Sequence, residues 1–281
     1  MKRVSAVAVL LACLWWIAGS VLTAPARAAI GELPGDLKGS DVRLPSGSGA
    51  SLRGWFVPGV AGHGAVVLMH GVRANRLSML ARARMLHSAG FSVLLCDFQA
   101  HGESTGDRIT FGYVESRDAR AEVRFVRQRM PAEKVGVIGM SLGGASAVLA
   151  APPLDADAMV LESVYPTIHD AVSDRLHARV GPLAVVLTPL LTVQLRMRLG
   201  IGEEQLRPID HVAALRIPKL FIAGTADRST TILESERLFQ AAAEPKELWE
   251  VRGAGHQDLY GFAGAEYRVR VVRFLQAGLI A

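Results

Sequence analysis

The chain has 281 residues, half of them hydrophobic, with no repeat or low-complexity tract. That size and content fit one large domain with a substantial core and exclude a disordered or fibrous protein. The formal charge of +5 includes Lys2, Arg3 and Arg27 and no acid from residues 1–28, so the remainder carries +2; its arginines are mixed with acids, as in residues 115–129, and no basic block points to nucleic acid.

The chain opens on Met1-Lys2-Arg3, an apolar run over residues 4–22 and the small-residue stretch Ala24-Pro25-Ala26-Arg27-Ala28-Ala29. A basic start, an apolar centre and small residues at 26 and 28 read as a secretory signal peptide cut after Ala28. The run is also nearly long enough to cross a bilayer, so an uncleaved anchor stands beside that reading. Both export residues 29–281, either into the periplasm or medium, or tethered to the inner membrane through the N-terminus. A lipoprotein signal is a third reading, on Leu10-Leu11-Ala12-Cys13, but Leu14-Trp15-Trp16-Ile17 stays apolar where such a signal turns polar. Beyond the leader, Cys96 is the lone cysteine, which rules out an internal disulfide there; ending the apolar run 93–95, it reads as a core thiol.

Residues 41–44 and 52–57 are short strand candidates joined by the turn Pro45-Ser46-Gly47-Ser48-Gly49. Strand patterns then recur at 65–69, 91–96, 134–139, 158–161, 219–223 and 248–251, separated by helical patterns at about 76–88, 114–130, 141–150, 231–243 and 265–277. This alternation predicts an α/β fold with a mostly parallel sheet covered on both faces. It breaks once, at about 165–207, where the chain turns irregular and then strongly apolar over 180–195. Interrupted by Pro182 and Pro189, that stretch is too short to span a membrane; it reads as a small inserted helical cap lying over a pocket, with added core packing as the other possibility.

Within this pattern, Val135-Gly136-Val137-Ile138-Gly139-Met140-Ser141-Leu142-Gly143-Gly144 is an apolar strand ending in G-x-S-x-G and passing into a small-residue helix. A serine at the tip of such a turn has a strained backbone and needs neighbours without bulk, so Ser141 is a candidate nucleophile. A serine hydroxyl is weak at neutral pH and needs a base within reach, itself oriented by a carboxylate. Two loops downstream offer them: Asp227 after the strand ending Phe221-Ile222-Ala223, and His256 in Gly253-Ala254-Gly255-His256 after the last strand. Glu162 also follows a strand and is an alternative acid, whereas Asp258, two residues from His256, is badly placed to orient its ring. Backbone N–H groups best stabilise the oxyanion of a tetrahedral intermediate, and Leu142 at a helix N-terminus supplies one.

The order Ser, Asp, His, with the acid after one late strand and the histidine after the next, resembles the α/β-hydrolase superfamily over nearly the whole chain past the leader. Within it the chain is similar to bacterial hydrolases of the serine-aminopeptidase-like and prolyl-oligopeptidase-like branch. The likeness rests on Met69-His70-Gly71, on Asp97-Phe98-Gln99-Ala100-His101-Gly102-Glu103-Ser104-Thr105-Gly106, on Pro245-Lys246-Glu247-Leu248-Trp249 leading to His256, and on Glu266-Tyr267. The resemblance implies that Ser141 is the nucleophile, His256 the general base and later acid, Asp227 the orienter, and Val72, just past His-Gly, the second oxyanion donor. His70 and His101 then shape loops. Two departures, Gln99 in place of an arginine and the absence of a proline in Arg228-Ser229-Thr230-Thr231, weaken any transfer of substrate specificity.

No metal-ligand spacing and no dinucleotide fingerprint is present, so no cofactor or metal is expected. The expected activity is hydrolysis of a carboxylic ester, or of a thioester or amide, through an acyl-enzyme, with a small hydrophobic acyl substrate suggested by residues 180–195. A peptidase or acyltransferase would use the same three residues, and a non-catalytic binding protein could keep the fold. Oligomeric state is not legible in the sequence.

Overall fold

The computed structural model describes residues 2–280, and of residues 2–8 the backbone only. Helix α1 (Lys2–Thr23) and the two-residue strand β1 (Ala26–Arg27) lead into the antiparallel pair β2 (Ser40–Pro45) and β3 (Ser51–Val57). There follow β4 (Ala65–Met69), α2 (Leu80–Ser88), β5 (Ser92–Cys96), the short β6 (His101–Gly102), α3 (Glu115–Arg129), β7 (Val135–Met140), α4 (Leu142–Val148) and β8 (Ala158–Glu162). The chain continues through α5 (Ile168–Val180), α6 (Ala184–Leu199), α7 (Pro208–His211), β9 (Lys219–Gly224), α8 (Ile232–Ala241), β10 (Lys246–Val251) and α9 (Leu259–Leu279).

Eight strands form one sheet in the order β10-β9-β8-β7-β4-β5-β3-β2, parallel except where β3 runs against both neighbours. Alternate side chains feed two cores. Val66 and Leu68 of β4 pack with Ala83 and Leu86 of α2 and Val271 and Leu275 of α9, while Val67 and Met69 pack with Val123 of α3, Ala145 of α4 and Leu238 of α8. Because both faces are covered, β4, β5 and β7 read as continuous apolar runs rather than as alternation. Cys96 lies in the second of these cores as expected, and burial raises its thiol pKa well above the ordinary value.

Strand β4 lies between β5 and β7, so the chain leaves it to one side and later returns on the other. Loops leaving the carboxyl ends of β4 and β7 therefore diverge there, which is where open parallel sheets hold their ligands.

Three elements differ from the sequence reading. Residues 168–180, expected to be irregular, form α5, started by Thr167, whose hydroxyl accepts the Asp170 N–H. Its Asp, His and Arg content hides a helix that packs chiefly on α6. The last helix runs from 265 as expected, but a further helical segment from Leu259 precedes it within α9, separated by Gly264, whose φ of 45° breaks the α-helical path. Strand β1 pairs with β6 in a small parallel ladder, Ala26 opposite His101, that has no hydrophobic signature to announce it.

Candidate active site

Strand β7 ends and α4 begins at Ser141, whose φ of 48° and ψ of −109° lie outside the regions favoured by L-residues. Such a backbone costs on the order of 1–3 kcal/mol and persists only when its surroundings hold it. The Ser141 N–H donates to the Glu162 carbonyl at 2.8 Å, and its own carbonyl accepts from the Ala145 N–H at 2.9 Å. The flanking glycines are required by contact: a Cβ on Gly139 would strike the backbone at Gly144, and one on Gly143 would overlap the Met69 carbonyl at the end of β4. Strand and helix thereby come close enough to project the serine above the sheet edge.

The loop after β4 borders this turn, since a Cβ on Gly71 would stand 3.9 Å from that of Ser141. Val72 follows Gly71. Arg73, at a left-handed φ of 58°, is fixed by donating its N–H to His101 Nε2 at 3.1 Å. His101 Nδ1 faces the Gln99 carbonyl at 2.9 Å, while His70 Nε2 accepts the Phe98 N–H at 3.0 Å and its Nδ1 faces the Gly71 carbonyl at 2.8 Å. Each ring thus carries its proton on Nδ1 and holds backbone on both sides. Burial, with nearby His101, depresses the pKa of His70 to about 3, and burial lowers that of His101. Both histidines shape loops.

Two strands further across the sheet, the loop after β9 brings Asp227 to His256, with Oδ2 2.8 Å from Nδ1. The other carboxylate oxygen accepts the N–H groups of Ser229 at 2.7 Å and Thr230 at 3.0 Å. Burial pushes this carboxyl's pKa up, but the His256 hydrogen bond and the two backbone donors outweigh it and leave it below the usual range. The two loops are tied by the Ala226 N–H donating to the Ala254 carbonyl at 2.9 Å. Asp227 and His256 are therefore brought together, whereas among the described residues no hydrogen bond joins Ser141 to His256. Catalytic hydrogen bonds of this kind are commonly long before substrate binds.

Glu162 takes a different part. Its carboxylate meets Arg82 at 2.6 and 3.1 Å and accepts the Tyr267 hydroxyl, all three side chains being buried. Arg82 also pairs with Asp258 at 2.7 Å, and Asp258 caps α9 by accepting the Tyr260 N–H. Asp258 thus remains a surface carboxylate, exposed but anchored by the buried guanidinium. One guanidinium holds the residue whose carbonyl fixes Ser141 and, through Asp258, the chain two residues past His256. No local pattern announces this hub, because its members lie on three separated elements.

A mostly parallel eight-stranded sheet flanked by helices, with a strained serine at its switch point, defines the α/β-hydrolase fold. The family model described as serine aminopeptidase, S33, matches residues 61–205, and the chain belongs to that family. An uncharacterized protein of Mycobacterium tuberculosis is 31% identical over 238 residues, covering 83% of this chain and 77% of the relative. The α/β-hydrolase domain-containing protein WAV2 of Arabidopsis thaliana is 25% identical over 254 residues, 84% and 78% of the two chains. Among solved structures, the Pyrococcus furiosus esterase Pf2001 superposes with a TM-score of 0.77 at 22% identity, over 92% of this chain and 99% of that one. A Paleococcus ferrophilus monoacylglycerol lipase superposes with a TM-score of 0.58 at 23% identity, over 80% and 99%.

Proposed function

We propose that this hydrolase cleaves carboxylic esters through an acyl-enzyme on Ser141. The observation that carries the reading is the Ser141 backbone: a left-handed serine, held by Glu162 and Ala145 and flanked by contact-limited glycines, has no evident structural use that a glycine would not serve better. The Asp227–His256 pair supports it, since a carboxylate on Nδ1 leaves Nε2 to take a proton.

In this mechanism Ser141 Oγ attacks the ester carbonyl carbon while its proton passes to His256 Nε2. Asp227 holds the ring and stabilises the imidazolium. The N–H groups of Leu142, at the start of α4, and Val72, beside the nucleophile turn, receive the oxyanion. Among the described residues neither donates to a protein acceptor. Each such donor contributes ~2.7–4 kcal/mol of transition-state stabilisation. The carbon–oxygen bond to the leaving alcohol breaks as His256 returns the proton to it. Water then repeats the sequence on the acyl-enzyme and frees Ser141.

The esterase and lipase among the structural neighbours favour an ester. A hydrophobic acyl or alcohol portion is favoured by the apolar composition of residues 180–195, inserted between β8 and β9. The family's aminopeptidase description favours a second reading, cleavage of a peptide amide by the same groups. Hydrolysis of a chromogenic ester series of increasing acyl length, with an aminoacyl amide panel and the Ser141→Ala variant in parallel, separates them. Medium-chain esters should be preferred and Ser141→Ala inactive; faster turnover of short polar esters or of amides would sink the hydrophobic-ester reading.

A further inference from the structure

The N-terminal helix is tied into the domain at the very residues where a signal peptide would be cut. The Ala26 N–H donates to the Ala100 carbonyl at 2.8 Å and the Ala28 N–H to the Gly102 carbonyl at 3.0 Å. The Thr23 carbonyl accepts the N–H of buried Ile109 at 2.9 Å, and the Val21 carbonyl accepts Arg73 Nη1 at 3.0 Å, one residue from Val72. Cleavage after Ala28 would remove all four partners and leave the Ile109 N–H without its acceptor.

Upstream, α1 runs along α6 with polar contacts of specific geometry. The Trp15 indole N–H donates to the Leu190 carbonyl at 2.5 Å, Gln194 Nε2 to the Trp15 carbonyl at 2.9 Å, and Arg198 Nη1 to Ser20 Oγ at 2.8 Å. The Arg198 guanidinium also stacks 3.8 Å over the Trp16 ring. Gly19 permits this approach, since a Cβ there would collide with the Gln194 side chain.

The outer side of this helix pair is apolar and uncovered. Leu183 just before α6 and Val186, Leu190, Val193 and Met197 of α6, spaced to form a single stripe, are 46–64% exposed, and Val9, Leu10, Leu11 and Leu14 of α1 are 52–62% exposed. An exposed, contiguous apolar patch of this kind marks a surface that meets a partner or a membrane. Charge says which occupant fits. Residues 1–31 and 176–202 hold no Asp or Glu, against Lys2, Arg3, Arg27, Arg179, Arg196 and Arg198. Arg196 is paired with exposed Glu204 at 2.6 Å, but cations outnumber acids around the stripe, and an apolar surface so rimmed matches an anionic bilayer, with the stripe in the acyl boundary and the arginines at the headgroups.

We infer that α1 is retained as part of the folded enzyme and that α1 and the exposed stripe of α6 together seat it in an anionic lipid bilayer, whichever bond the site cleaves.

The test uses the full chain produced in a bacterial host, carrying Cys13→Ser so that the exposed native thiol does not react, with a nitroxide on Val193→Cys. A second nitroxide protein, Val60→Cys, marks the turn before β4 at the opposite edge of the sheet. Intact mass should include residues 2–28, and both proteins should float with vesicles of equal parts phosphatidylcholine and phosphatidylglycerol. The ratio of oxygen to nickel-chelate accessibility should be several-fold higher at position 193 than at position 60. A chain beginning at Ala29, or failure to float, overturns retention and lipid binding. Equal ratios at the two positions overturn the role of α6, and spin–spin broadening at 193 that disappears on dilution with unlabelled protein means that a second copy covers the face. None of these readouts depends on catalysis.

Discussion

The carboxyl edge of the sheet and the α1–α6 layer are built on opposite terms. At the edge, charge is paired around buried groups: buried Arg82 meets Glu162 and Asp258, buried Asp227 meets His256, and Ser141 is held against its backbone preference. In the α1–α6 layer the polar groups face inward to join the two helices, and the apolar groups face out. The edge is therefore a place where a single atom matters, and the layer one where area matters. Substitutions at the edge should reach chemistry or stability, while those on the outer stripe of α6 should reach neither in solution.

The largest effect that can break this contrast is in turnover. Asp227→Asn places an amide against His256 Nδ1, favours the wrong tautomer and should lower kcat about 10⁴-fold with the fold intact. Steady-state hydrolysis with circular dichroism checks it, and near-normal turnover would remove Asp227 from the mechanism. Next comes stability. Arg82→Met leaves the Glu162 carboxylate buried without its cation and should cost about 3–5 kcal/mol in urea unfolding, whereas adding Glu162→Met should recover much of the loss.

Those two variants also mark what the sequence could disclose. The strand–helix alternation, the serine turn, the acid and histidine loops and the loop-shaping role of His70 and His101 were legible because each is written in a local pattern. Arg82, Glu162 and Tyr267 were not, since they lie on α2, β8 and α9 and meet only through the tertiary fold. Helix α5 was missed because its polar residues carry no strong periodicity. The α1–α6 packing was invisible because an apolar run with no preferred face does not say what it packs against. Glu162, a second candidate acid on sequence alone, is committed to Arg82.

A smaller effect concerns pH. Burial raises the pKa of Asp118 to about 7, against the hydrogen bonds it accepts from Ser46 and the Gln99 N–H. The unfolded carboxyl ionises near its ordinary value of 3.8. Between these values the folded chain holds a proton that the unfolded chain has released, so stability falls as pH rises from about 4 to 7 and then levels off. Asp118→Asn should flatten that part of the stability curve measured by chemical denaturation; an unchanged slope would assign it elsewhere. The smallest effect is Leu190→Ser on the outer stripe of α6. It should shift stability in aqueous buffer by no more than about 0.5 kcal/mol. A loss above ~2 kcal/mol would mean that the stripe is covered in solution and would erase the contrast.

The most direct test of the central claim is covalent. The full chain is treated with a fluorophosphonate and with a slowly deacylating activated ester, followed by intact mass and peptide mapping. A single adduct on Ser141, absent from Ser141→Ala and suppressed by competing ester, is the result this mechanism predicts. An adduct on another residue, or equal labelling of Ser141→Ala, would contradict it.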